Sequence, residues 1–317
     1  MLNVVVLLVG FILLIYGASK LVDSSSALAG RLGIPNIVIG LTIVAFGTSA
    51  PELLVSVFAS ISHNSDLAIG NVVGSNIFNI LFIVGVSALM RPLVVKSGTT
   101  WIEIPMALLA ALVLVVMAND GFLDKQGESF ISRSDGIILI FFFIIFLVYN
   151  MTVMKSGITN NVPSVYNMPI YKSVLWIIAG LIMLVAGARA IVYSSVNLAV
   201  IAGISERVIG LTIVSIGTSL PEAATSIVAA RKNNADIAIG NIVGSNIFNI
   251  FLVLGMSSSI RPIAVNPESN IDLGVNILAS LLLFLFIFTG RGRKIGRIEG
   301  AILLLIFISY MAYLLLS

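Results

Sequence analysis

The sequence has no cysteine, a single histidine and few charges. Without cysteine there is no disulfide, no thiolate metal site and no catalytic thiol. The lone histidine, His63, stands in a polar HNSD stretch and reads as a loop residue. Charged residues are 10% of the chain and the net charge is +3, too small to argue for nucleic acid. No low-complexity tract or coiled coil occurs, and no connection is long enough for a folded regulatory domain. What fills the chain is apolar: 59% of its 317 residues are hydrophobic. The mean hydropathy is +1.13. This is the composition of an integral membrane protein.

Ten apolar stretches of about 20 residues suit a bilayer core of ~30 Å. They are 2–21, 35–61, 67–89, 101–118, 135–154, 171–194, 207–230, 237–260, 271–289 and 295–316. All are expected to be helices, because a strand open to lipid leaves its backbone unsatisfied. The apolar start, 2–15, lacks a basic segment and runs on as a full span, so a cleaved signal peptide is not expected. Basic residues set the orientation. With the N-terminus outside, twelve fall on the cytoplasmic side: Lys20, Arg31, Arg91, Lys96, Lys155, Lys172, Arg231, Lys232, Arg291, Arg293, Lys294 and Arg297. Five fall outside: Lys125, Arg133, Arg189, Arg207 and Arg261. Both termini are therefore expected to be external.

The chain repeats itself. IGLTIVAFGTSAPE begins at Ile39 and IGLTIVSIGTSLPE at Ile209, identical at eleven of fourteen positions. DLAIGNVVGSNIFNI from Asp66 returns as DIAIGNIVGSNIFNI from Asp236, at the same offset of 170 residues. The repeats are expected to divide the chain into 1–155 and 171–317, joined by a loop over 156–170, with the repeated motifs at 39–80 and 209–250. Five spans per repeat is an odd number, so the two halves enter the membrane with opposite orientation. The expected fold is an all-α membrane protein: ten transmembrane helices in two inverted five-helix repeats with broken core helices. Inverted repeats with interrupted helices mark secondary transporters.

The motifs place costly groups inside apolar segments. Glu52 and Glu222 are intramembrane carboxylates, which by default point to a functional site. Pro51 and Pro221 have no N–H, so the carbonyls of Gly47 and Gly217 lose their helical partners. Thr48, Ser49, Thr218 and Ser219 bring hydroxyls to the same breaks. Freed carbonyls, hydroxyls and a carboxylate make a hard-oxygen site, suited to Na⁺ or Ca²⁺. In the second motif, Asn71, Ser75 and Asn79 fall at i, i+4 and i+8, on one helical face. Asn241, Ser245 and Asn249 do the same. Asn71 and Asn241 read as polar glue between helices; Ser75, Asn79, Ser245 and Asn249 read as ion contacts.

GTSAPE and GTSLPE, each followed by GNxVGSNIFNI, resemble the paired alpha-repeats of the sodium/calcium exchanger family in the calcium/cation antiporter superfamily, in its prokaryotic form. The resemblance covers both motif pairs and the ten-span layout. It implies a core built from the second, third, seventh and eighth helices, with long, tilted first and sixth helices sliding across it. It implies transported Ca²⁺ and Na⁺, no cofactor, no obligate protein partner, and residence in lipid of a prokaryotic plasma membrane. It also implies that Glu52 and Glu222 share Ca²⁺. Thr48, Ser49, Thr218 and Ser219 then supply hydroxyl or backbone oxygens, and the backbone carbonyls of Ala45 and Ser215 serve flanking Na⁺ sites. Ser75, Asn79, Ser245 and Asn249 complete the shells. Exchangers of this family often carry an aspartate where this chain has Asn249, so the coupling ion stays open between Na⁺, H⁺ and Na⁺ with K⁺. An intramembrane hydrolase would need an activated nucleophile, which is not evident. A channel would place its charges around a ring, which inverted carboxylates do not suit.

Overall fold

The computed structural model describes residues 2–123, 129–155, 168–201, 215–289 and 292–316. Among these, eight helices are long and apolar enough to cross a membrane, or nine if one bent pair is a single crossing. The protein is a helical membrane protein. The expected seventh span is described only from residue 215. Its first part, the motif residues 209–214, most of the loop 156–170, and Lys125, Arg207 and Arg291 lie outside the described residues.

In chain order the first half holds α1 (Leu2–Leu32), α2 (Asn36–Ile39), a π-helical turn π1 (Gly40–Val44), α3 (Ala45–Thr48) and α4 (Ala50–Ile61). It continues with α5 (Ser65–Ile77), π2 (Phe78–Val84), α6 (Gly85–Met90), β1 (Leu93–Val94), π3 (Thr99–Glu103), α7 (Ile104–Met117), α8 (Asp120–Leu123), β2 (Ser129–Ile131) and α9 (Arg133–Lys155). The second half holds α10 (Ile170–Ile201), α11 (Ser215–Gly217), α12 (Leu220–Arg231), α13 (Ala235–Ile247), π4 (Phe248–Leu254) and α14 (Gly255–Ile260). It ends with β3 (Ile263–Val265), α15 (Ser269–Thr289), β4 (Lys294–Ile295) and α16 (Arg297–Leu316).

The bounds of two spans need correction. The first and sixth spans are longer than 2–21 and 171–194: α1 has 31 residues and α10 has 32. At ~1.5 Å per residue these reach about 45 Å, more than an untilted crossing needs. Polar residues ended the apolar stretches without ending the helices, because Ser24, Ser25 and Ser194 are fully buried against protein. Arg31, between the expected spans 2–21 and 35–61, therefore stands within α1. The connections between spans hold short strands. β1 pairs with β4, setting Leu93 opposite Ile295, and β2 pairs with β3, setting Ile131 opposite Ile263. Both ladders sit at helix ends, where the backbone no longer satisfies itself and a strand partner does so instead. Each ladder joins the two halves.

The packing repeats with the sequence. α1 and α10 run antiparallel along a glycine seam: Gly17 meets the Gly180 carbonyl, and Gly10 meets the Gly187 carbonyl. A Cβ at any of the four would come within about 3 Å of the facing backbone, so only glycine lets these helices approach so closely. These glycines also differ by 170, so the repeat reaches beyond the two motifs. Gly85 packs against Gly300 of α16, and Gly255, its counterpart, against Gly136 of α9. Each half therefore clasps the other.

Burial locates the centre. Within an 18-residue apolar stretch of each run, 78% of the residues between Ser65 and Met90 and 94% of those between Ala235 and Ile260 are buried, against 17% in α16. The polar end contacts fall into two groups. At one end, Lys232 meets Asp23, Lys96 meets Asp236, and β1 meets β4. At the other, His63 meets Arg261, Asn266 donates to Asp66, and β2 meets β3. The turns at His63 and Asn233 share a left-handed φ of 63° and correspond through the repeat. The side chains of Asn64 and Asn234 cap the helices that follow, accepting from Leu67 and Ile237. These equivalent turns lie at opposite ends of the helix layer.

Candidate functional site

The site begins at two helix breaks. α3 stops at Thr48, Ser49 leaves helical geometry (φ −84°, ψ 4°), and α4 restarts at Ala50. The chain bends by 47° across the break. Ser219 has nearly the same conformation (φ −88°, ψ 6°) before α12. Proline near the start of each new helix explains the restart: its missing N–H is no loss in a first turn. The break also places a helix N-terminus inside the protein, with Glu52 and Glu222 in the first turns of α4 and α12. The positive end of the helix dipole favours a carboxylate there.

The two breaks interlock across the halves. Ser49 Oγ donates to Glu222 Oε1 at 3.0 Å, and Ser219 Oγ lies 3.2 Å from Glu52 Oε1. Thr48 Oγ1 donates to Asn241 Oδ1 at 3.0 Å, and Thr218 Oγ1 to Asn71 Oδ1 at 3.2 Å. Asn71 Nδ2 in turn donates to the Glu52 carbonyl and to Ser56 Oγ. Asn241 Nδ2 does the same to Glu222 and Ser226. Asn71 and Asn241 thus join helices, as their reading as polar glue expected. Ser75 Oγ lies 2.8 Å from Ser219 Oγ, and Ser245 Oγ stands 3.5 Å from Glu222 Oε1. The Ala45 carbonyl accepts from the Ser49 N–H at 2.9 Å and from Thr48 Oγ1 at 3.3 Å. The Ser215 backbone opens α11, and its side chain lies outside the described residues.

Glu52, Glu222, Asn79 and Asn249 are buried, none more than 1% exposed. Each has one oxygen with no hydrogen-bond partner among the described residues: Oε2 of both glutamates and Oδ1 of both asparagines. A buried polar atom without a partner costs on the order of 1–3 kcal/mol, more when charged. Four such oxygens in equivalent positions of two interlocked halves suit a cation, which accepts lone pairs and needs no hydrogen. Among the described residues no group of three or more His, Cys, Asp or Glu assembles. The donor set is two carboxylates with neutral oxygens, a hard set appropriate to Ca²⁺ or Na⁺ and poor for soft metals.

The sequence reading missed two features. π2 and π4 begin just before Asn79 and Asn249, and π turns recur at functional sites. Asn76 and Asn246 form a second amide layer: Asn79 Nδ2 donates to Asn246 Oδ1, and Asn249 Nδ2 to Asn76 Oδ1, both at 3.0 Å. Both residues lie in the duplicated GSNIFN, so the repeat carried the signal. The one-face rule, spaced by four, passed over them. A groove of about 550 Å³ approaches the site between α4 and α10, lined by Pro51, Val55, Arg189 and Thr218. An adjoining cavity, sharing Leu54, Val55 and Arg189, reaches Ser62 and Asn64 near the His63 turn.

Comparison with known proteins agrees with this architecture. Sodium/calcium exchanger MaX1 of Methanosarcina acetivorans is 34% identical over 344 residues, covering 98% of each chain. Inner membrane protein YrbG of Escherichia coli (strain K12) is 38% identical over 318 residues, covering 97% of this chain and 95% of its own. The solved structure of the sodium-calcium exchanger NCX_Mj, soaked with 2.5 mM Na⁺ and 0.1 mM Ca²⁺, superposes with a TM-score of 0.83 at 34% identity, covering 98% of each chain. The sodium/calcium exchanger protein family matches residues 2–152 and 172–316, nearly the whole length, and the chain belongs to that family.

Proposed function

We propose that this protein is a secondary active antiporter that exchanges Na⁺ for Ca²⁺ by alternating access. The observation that carries the reading is the set of four unpartnered, buried oxygens on Glu52, Glu222, Asn79 and Asn249. Ca²⁺ is held as cargo between the two carboxylates, neutralising both. Na⁺ displaces it, using the same carboxylates with Thr48, Ser49, Thr218, Ser219, Ser75 and Ser245, and flanking carbonyls of Ala45 and Ser215. The Ala45 carbonyl would exchange its Thr48 donor for the ion.

The fold we propose is ten helices in two inverted repeats, 1–155 and 171–317, with α11 and α12 as the described part of the broken seventh. Equivalent turns at opposite ends of the layer support it. We place both termini outside, which puts the His63 end outside and the Lys96 end in the cytoplasm, in keeping with the distribution of basic residues. The groove along α4 and α10 is then the external access route, stopping one residue short of Glu52. Exchange of roles between the halves opens the opposite route.

The test is labelled Ca²⁺ uptake into liposomes holding the purified protein. A Na⁺ gradient should drive uptake, a pH gradient alone should not, and added K⁺ should leave the rate unchanged. Uptake driven by protons without Na⁺ would replace the coupling ion and keep the site. The absence of Ca²⁺ flux under every gradient would remove the reading.

A further inference from the structure

A primary amide offers a cation either an oxygen, which is a ligand, or an N–H₂, which is not. Something must decide which way Asn79 and Asn249 turn. We propose that Asn76 and Asn246 are positioning residues that make this choice for the proposed cation site, an inference resting on the reading above. A backbone carbonyl can only accept. Asn76 Nδ2 donates to the Asn246 carbonyl at 3.3 Å, so the nitrogen of Asn76 is committed to that side. Its Oδ1 is thereby turned toward Asn249, which must present Nδ2, and does so at 3.0 Å. Asn249 Oδ1 is left over, buried and without a partner among the described residues. Across the pseudo-symmetric centre, Asn246 Oδ1 accepts from Asn79 Nδ2, leaving Asn79 Oδ1 in the same condition. Asn76 and Asn246 are 1% and 3% exposed, so water does not compete for these bonds. The clasp delivers two oriented neutral oxygens and adds no charge to the pair of carboxylates.

The arrangement has a consequence for position 249. A carboxylate has no wrong face, so it needs no orientation. One of its oxygens would also stand against Asn76 Oδ1, which has no hydrogen to give. Asn76 therefore helps an asparagine at 249 and does nothing for an aspartate there.

A double-mutant cycle reads this directly, because a shared interaction appears as non-additivity. The full-length protein, Asn76→Ala, Asn249→Asp and the double variant are reconstituted, and the Ca²⁺ dependence of Na⁺-driven uptake is measured. Asn76→Ala alone should raise the KM for Ca²⁺ about tenfold, with a smaller change in maximal rate, as expected for one lost orienting hydrogen bond beside a charge. In the Asn249→Asp background the same change should alter KM by less than about twofold, or lower it. Equal losses in both backgrounds would make Asn76 a packing residue and overturn the proposal. So would an unaltered KM in Asn76→Ala itself. Should Asn249→Asp fail to fold, Asn76→Asp against Asn76→Leu decides. The aspartate keeps an acceptor for Asn249 Nδ2 and should retain a KM closer to the native one, whereas equal loss in both refutes the clasp. The Ca²⁺-induced rise in Tm of the purified protein separates the two levels of failure. Native protein that neither binds nor moves Ca²⁺ defeats the transport reading and this inference together. Native protein that does both, with an additive cycle, defeats this inference alone.

Discussion

Glu52→Gln and Glu222→Gln should each lower Ca²⁺ exchange by at least about 100-fold while leaving the protein folded. A factor of 100 corresponds to about 2.7 kcal/mol. The charge removed sits in a buried, poorly hydrated centre, where one unit of charge at contact is worth more than that in all but water-like surroundings. Glutamine keeps the shape of the side chain and an oxygen for the crossed serine, Ser219 for position 52 and Ser49 for position 222. It leaves a divalent ion facing one carboxylate. Stability should not fall, because each substitution relieves a buried, unpaired charge. Initial rates in liposomes, read beside Tm and monodisperse yield, separate loss of transport from loss of fold. Normal exchange in either variant would take that glutamate out of the site.

Gly244→Leu should abolish recovery of folded protein, the second large effect. Gly244 in α13 packs on the broken second span, where even a Cβ would lie 2.8 Å from the Leu41 carbonyl and from Ala45 Cβ. Backbone cannot rotate away as a side chain can, so the helices must part. Overpacking in a dense core costs about 1–3 kcal/mol when neighbours give way, and more when they do not. Parting α13 from π1 and α3 also breaks the Thr48–Asn241 bond that ties the halves together. The contrast is Gly274→Leu in α15, whose added Cβ meets nothing within 4 Å among the described residues. It should be recovered and active. Fluorescence-detected size exclusion of the two variants checks the pair, and equal recovery would show the seam to be slack.

How far the sequence could be read follows from what kind of signal each feature leaves. The carboxylates, the prolines and the duplicated hydroxyls were legible because lipid makes such residues expensive. The structure sets the break at Ser49 and Ser219, where Pro51 and Pro221 put it. The crossing of the bonds, with Ser49 on Glu222 and Ser219 on Glu52, was not legible, since a repeat says what is equivalent and not what touches. The resemblance implied long first and sixth helices, and only the apolar stretches ended α1 and α10 too early, because buried serines look like an exit from the membrane. The strand ladders left no mark, being two or three residues long and stabilised by partners in the other half. Asn76 and Asn246 were visible in the motif and passed over, because a rule of helical faces cannot see a bond made across helices. Arg189 was counted only as an external charge, and it also lines the groove beside α4.

The central claim is that the four buried oxygens hold the transported ion. It is tested most directly by a crystal structure of the protein grown with Ca²⁺ replaced by Sr²⁺, whose anomalous scattering marks its place. The account predicts a peak between the two breaks, in direct contact with oxygens from both Glu52 and Glu222, at or slightly beyond the roughly 2.3–2.6 Å of Ca²⁺–oxygen contacts. It should vanish when Na⁺ is raised and be missing in Glu222→Gln. A peak elsewhere, or one at this centre untouched by Na⁺, would contradict it.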